Sequence, residues 1–160
     1  MKTYLFALSI LFSILSCSKS NDPAPAGTSY VSMKINGVEW KSSIGAGAIT
    51  SGSFSGTGAL EVTGGKDVLA MTLINAANVG TTYKFEETND RLLQFSRSAS
   101  KVSYFIGKDS KGSSGIFTIT KTKVTGTLTY ANATFSGIAN GSDGSKITIT
   151  EGKIVNAGVE

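Results

Sequence analysis

Beyond residue 29 the chain is written in short alternations. Runs of Val, Ile, Thr, Phe and Tyr set apolar residues at every second position, and Gly, Asn, Asp and Ser separate them. This is the pattern of half-buried strands joined by turns. No stretch sustains apolar spacing at i, i+3, i+4 and i+7 between helix caps. The alternation predicts strands over 30–35, 38–42, 44–50, 59–63, 67–75, 81–86, 91–97, 102–106, 115–120, 124–130, 146–151 and 154–156. About ten strands in one domain imply an antiparallel β-sandwich, with a closed β-barrel as the alternative.

The first hairpin can be read residue by residue. Asn36-Gly37 between two alternating runs predicts a two-residue type I′ turn. Such a loop pairs Ile35 with Val38, Met33 with Trp40 and Val31 with Ser42. Residues two apart share a face, so Val31, Met33, Ile35, Val38 and Trp40 point to the core. Lys34 and Glu39 then lie opposite one another on the solvent face and are expected to form an ion pair. Near the C-terminus, Ile147 and Ile149 point inward, but unbroken alternation would bring in Lys153 and turn Ile154 out. One extra residue at Glu151-Gly152 restores the pattern. A β-bulge is expected there, with Gly152 supplying the unusual φ.

The glycine-rich stretches 45–48 and 52–58 lack the spacing and following helix of a phosphate-binding loop. They read as small residues in twisted strands and turns.

The N-terminus has a different pattern. Lys2 precedes an apolar run over 5–15, and Ser16-Cys17-Ser18 follows, as in a secretory signal. The run is short of the roughly 20 residues of a spanning helix. Ile14-Leu15-Ser16-Cys17 resembles the lipobox of bacterial lipoproteins. The resemblance implies cleavage between Ser16 and Cys17, with a diacylglyceryl group on the Cys17 sulfur. An ordinary secretory signal ending at a chance cysteine is the alternative. Residues 17–29 are small and polar and hold both prolines, the composition of a flexible tether. The expected organisation is a signal over 1–16, a lipid-anchored tether over 17–29 and a single all-β domain over 30–160. The location implied is an outer membrane, held by lipid on Cys17. With Asp22 the only acidic residue of the tether, the periplasmic and the cell-surface face both stay open.

Composition narrows the chemistry. Without Lys2, fourteen basic residues stand against eleven acidic ones, and they are scattered. This is no signature of nucleic-acid binding. There is no histidine, and Cys17 is the sole cysteine. Histidine-based triads, intramolecular disulfides and Cys/His zinc sites are therefore excluded. No catalytic residue, cofactor or metal site is assigned. Oxygen ligands over 140–145 include one carboxylate, Asp143, and read as a hairpin turn.

Two regions carry a wider resemblance. Val31-Ser32-Met33-Lys34-Ile35-Asn36-Gly37-Val38-Glu39-Trp40 is similar to the opening of small Bacteroidota lipoproteins classed as a domain of unknown function. Gly115 to Thr120, Val124 to Tyr130 and Ile147 to Ile154 resemble that family's closing strands in order. The resemblance implies a lipid-anchored, sandwich-like domain and carries no activity.

Three functions remain. The first is a non-catalytic envelope protein, a binding or accessory module whose partner is an envelope protein or a glycan. Exposed aromatics would serve such binding. Trp40, Tyr83, Phe85 and Tyr104 fall on core faces by alternation, which leaves Tyr130, at a strand end, as a weak ligand-binding candidate. The second is a glycoside hydrolase using two carboxylates among Glu61, Asp67, Glu86, Glu87 and Asp90. The third is a barrel-type carrier of a lipid or small molecule, which needs an apolar cavity.

Overall fold

The computed structural model describes residues 29–157 and Val159. The signal, its cleavage point at Ser16 and Cys17, and the tether as far as residue 28 lie outside the described residues. Eleven strands follow in order: β1 (Tyr30–Ile35), β2 (Val38–Lys41), β3 (Ile44–Thr50), β4 (Ser53–Val62), β5 (Gly65–Leu73), β6 (Thr82–Lys84), β7 (Arg91–Arg97), β8 (Val102–Ile106), β9 (Ser114–Thr125), β10 (Leu128–Gly141) and β11 (Lys146–Val155). The fold is all-β, antiparallel and sandwich-like, as the alternation implies. Its strands belong to one continuous sheet, β2-β1-β11-β10-β3-β4-β5-β7-β8, with β9 and β6 joined to it through β10.

β10 organises this sheet by changing partners along its length. Its first residues pair with β9 on one edge, from Leu128↔Thr125 to Asn132↔Lys121, and with β3 on the other, at Thr129↔Ile49 and Tyr130↔Ala48. Farther along it pairs with β11, and at Asn140↔Phe105 and Gly141↔Tyr104 it meets β8. The path therefore returns to β10, and the sheet curls round one core. Phe54, Phe85, Phe95 and Phe117 are fully buried in it. Phe54 lies 4.5 Å from Phe117 and Trp40 meets Phe95 edge-on at 5.3 Å, spacings at which aromatic pairs attract.

The first hairpin has the expected turn and register. Asn36 and Gly37 both have positive φ, and Ile35↔Val38, Lys34↔Glu39 and Met33↔Trp40 are paired. Two details differ. Val38 is 72% exposed, because β2 is the edge of the sheet and nothing packs over its first residue. Lys34 reaches Glu151 at 2.6 Å and makes its ion pair there, across β11 rather than across the hairpin.

The reason is the bulge near the C-terminus. Between Lys34↔Thr150 and Ser32↔Lys153 the register slips, and Gly152 and Ile154 both end up buried. The bulge is where the alternation places it, but the positive φ falls on Glu151, at 53°, not on Gly152. This swings the Glu151 carboxylate toward Lys34. Gly152 is required for space: a Cβ there would meet the Phe135 ring at 2.6 Å.

The bounds of several strands also change. The expected strand over 124–130 is a hairpin, turning at Gly126-Thr127 between β9 and β10. Gly126 has φ 63° and opens a two-residue loop, the position glycine takes in a type II′ turn. Residues 53–58, expected as small residues in twisted strands and turns, begin β4, and residues 131–141 form the greater part of β10. Phe85–Glu87 is a 3₁₀ turn rather than the end of a strand.

Asn156 closes the structure. It is buried, and its side chain accepts from Gly47 N and donates to the Gly47 and Ala131 carbonyl oxygens. Replacing Asn156 with Ala leaves those backbone groups unpaired and is expected to cost ~2–4 kcal/mol in urea unfolding. Gly152→Ala is expected to cost about 1–3 kcal/mol through overpacking. Lys34→Met, which removes an exposed ion pair, is expected to cost at most ~1 kcal/mol. Equal losses in all three would contradict this ranking.

Candidate functional site

The sheet's alternation that fills the core also decides what faces out. In β8, Val102, Tyr104 and Ile106 are buried and Phe105 between them is turned to the outer face. Phe105 sits opposite Gln94 of β7 on one side and Asn140 of β10 on the other. Leu92, on the same outer face, is 42% exposed. Together they floor an open groove of about 370 Å³, walled by Asn89, Arg91, Lys108, Asp109, Ser110 and Asn140.

The wall over 107–113 is tied to itself and to the floor. Ser113 Oγ accepts from Gly107 N and donates to Gly107 O, and Ser110 Oγ donates to Phe105 O. Asn140 Nδ2 donates to Lys111 O at 2.6 Å. Arg91 Nη1 donates to Lys84 O at 3.0 Å and to Glu87 Oε2 at 2.9 Å, and its guanidinium lies over the Tyr83 ring at 5.0 Å. The groove is thus held in shape by its own hydrogen bonds. Asn140 Oδ1 and Arg91 Nε, buried atoms of its lining, have no partner in the protein.

Trp40, Tyr83, Phe85 and Tyr104 are buried, as alternation predicts. Tyr130 is half-buried in β10 between Ala48 and Lys123, and it does not line this groove. Phe105 is the aromatic that sequence reasoning missed. The signal was present: an alternation that puts Tyr104 and its neighbours inward leaves Phe105 outward.

Four of the five candidate carboxylates have structural partners, and Asp90 has no side-chain partner among the described residues. Glu61 pairs with Lys66 at 2.8 Å, and the hydrogen bond and charge raise the Lys66 ammonium above its ordinary range. Asp67 is buried and accepts from Ser98 N. Glu86 accepts from Gly115 N, and Glu87 binds Arg91. Among the described residues, no three His, Cys, Asp or Glu side chains gather as a metal-binding group. The segment over 140–145 is a turn. Asp143 Oδ1 accepts from the Ser145 hydroxyl at 2.6 Å and from its amide at 3.0 Å.

A second, smaller depression of about 260 Å³ lies over Ile116, Thr118, Thr134, Ser136, Glu151 and Lys153. It forms where β9 and β10 fall out of register. No family model matches the chain, and no curated protein or solved structure matches it.

The hydrogen bonds from Ser145 hold the Asp143 carboxyl below its ordinary value. A depressed carboxylate pKa stabilises the fold above the unfolded value, and the contribution fades as pH falls through the folded one. The Asp143 carboxyl, followed by NMR, is therefore expected to titrate below aspartate in a peptide of the same sequence. Ser145→Ala should move its midpoint upward. An unchanged midpoint would remove the hydroxyl as the main cause.

Proposed function

We propose that the chain is a lipid-anchored, non-catalytic protein of a bacterial cell envelope, held at an outer membrane through Cys17, whose domain binds a glycan in the groove floored by Phe105 and Leu92. The observation that carries this reading is the groove itself. An apolar floor beside amide, hydroxyl and charged walls suits a sugar, which offers an apolar ring face and a hydroxyl edge. Ser110 and Asn140 on the wall supply a hydroxyl and an amide beside that floor. The self-bonded wall over 107–113 limits the ordering cost of binding.

Support for a non-catalytic role comes from the lining. Asp109 is the one carboxylate among the residues that line the groove, whereas glycoside hydrolysis takes two. Support for the anchor comes from the string Ile14-Leu15-Ser16-Cys17 behind a short apolar run and from the likeness to Bacteroidota lipoproteins. Two acyl chains hold a protein stably to a bilayer.

Two measurements test the two halves separately. Cys17→Ser should take up no labelled fatty acid and leave the membrane fraction; a variant that stayed there like the wild type would overturn the anchor. A panel of envelope oligosaccharides, titrated calorimetrically, should include a ligand whose affinity falls about tenfold or more in Phe105→Ala, an effect of the size expected for a central aromatic contact. Phe105 is half-buried, so Phe105→Ala is also expected to lower the urea midpoint, and its binding is compared under conditions where circular dichroism shows the variant fully folded. Binding unaffected by Phe105→Ala, or no oligosaccharide bound, would overturn the groove reading.

A further inference from the structure

The hairpin formed by the end of β9 and the start of β10 stands beyond the core. Residues 121–128 are all exposed. On either side of its Gly126-Thr127 turn stand Val124, 71% exposed, and Leu128, 41% exposed. Their pairing fixes their directions. Val124 is opposite Thr129 and Leu128 is opposite Thr125, so the two apolar side chains emerge from opposite faces of the ribbon. A protein docked on one face would cover only one of them. A medium that surrounds the tip covers both.

The charges behind the tip are of one sign. Lys121 and Lys123 lie on the face shared by Leu128 and Tyr130, and no acidic residue occurs between Asp109 and Asp143. At about 3.3 Å per residue, Lys123 sits ~10 Å behind the turn and Lys121 ~17 Å. Lysines at such depths reach anionic headgroups while an apolar tip enters the acyl boundary, which interfacial segments penetrate by roughly 5–10 Å. Tyr130, half-buried on the same face, is suited to the headgroup level. Val79, 52% exposed and bridged to Ile119, adds an apolar side chain at the hairpin's base.

The chain's attachment point lies at the same base. Ala157 N donates to Ser29 Oγ, Asn156 binds Ala131, and Asn132 Nδ2 donates to Val159 O. Ser29 thus meets the domain beside residues 131–132 of β10, just behind Thr129 and Tyr130, where β10 also pairs with β3, and behind the exposed tip. Residues 18–28 can span at most ~40 Å. We infer that the β9–β10 hairpin is a membrane-contacting element, its tip entering an anionic lipid surface and fixing the domain's orientation on its anchor. This rests on the lipid-anchored reading of Cys17, because the anchor is what brings the hairpin to a bilayer.

The test uses the lipidated chain carrying Val124→Cys. Its Cys17 sulfur is blocked by lipid, so an environment-sensitive nitrobenzoxadiazole dye attaches at position 124 alone. In vesicles of phosphatidylethanolamine and phosphatidylglycerol the dye should shift to the blue and be quenched by doxyl-labelled lipid. The same dye on Ser142→Cys, at the far end of β10, should emit as in water. Lys121→Gln with Lys123→Gln should reduce the shifted fraction severalfold, and added salt should do the same. Equal, water-like emission at 124 and 142 would overturn the inference, as would a blue shift that needs no vesicles and grows with protein concentration, the mark of a second copy. Fatty-acid labelling of the wild type reports on the anchor independently. If that fails, sedimentation of the Cys17→Ser chain with added vesicles, against its Val124→Asp form with an unchanged urea midpoint, decides the hairpin alone: a severalfold loss in Val124→Asp supports it and equal sedimentation overturns it.

Discussion

Everything in this domain depends on one strand satisfying four others. β10 pairs with β9, β3, β11 and β8 in turn, and each N–H it offers can be donated to one partner only. Switching partners without orphaned groups requires the neighbours to diverge at defined points. The register slips between Asn132 and Ser136 against β9, and between Phe135 and Gly137 against β11, are those points. Three of the four buried residues of β10 are correspondingly small, Ala131, Ala133 and Ala139, and Phe135 is the one large exception. At Gly137 a Cβ would meet Ile106 Cδ1 at 2.7 Å. Larger residues would hold the two sides of the curled sheet apart and expose the phenylalanines between them.

The bulge in β11 follows from the same constraint. β11 serves β10 on one edge and β1 on the other, so an extra residue must leave both ladders together. Glu151 takes the left-handed conformation and Gly152 stays within contact of Phe135. A strained non-glycine φ costs of order 1–3 kcal/mol where the surroundings do not favour it. Here the surroundings are Ile149 and Ile154, buried on either side of the slip. Keeping both inside is worth more, since burying such a side chain contributes about 1.5–3 kcal/mol.

This explains what could be read from the residues and what could not. The Asn36-Gly37 hairpin was legible because a two-residue loop with positive φ at both positions has few sequence solutions, and because period-2 burial fixes its register. The bulge was legible because Ile154 had to be inside. The β9–β10 turn was hidden by a coincidence of parity: Val124, Leu128 and Tyr130 alternate straight through Gly126 and mimic one strand. Residues 53–58 were hidden by composition. Gly56 and Gly58 look like turn residues, yet both are inward positions of β4 whose missing side chains make room for Ile154 and Val31. Phe105 was overlooked because alternation was used to find the core and not the aromatic left outside it.

The separation of core from surface bears on function. Aromatic residues that stabilise the domain, Trp40 and the five buried phenylalanines, are taken up by its interior and are not free to bind anything. Glu61, Asp67, Glu86, Glu87, Asp143 and Glu151 are likewise engaged, satisfying backbone donors, a hydroxyl or nearby cations. The chemistry left to the outside includes what the interior did not require: Phe105 and Leu92 in a groove made where β10 meets β8, and Val124 and Leu128 at the exposed tip of the β9–β10 hairpin. These two features lie at opposite ends of the same strand, fourteen residues long. A domain held by the hairpin end would present the groove away from its anchor, so the partner changes of β10 that close the core would also set the distance between attachment and binding.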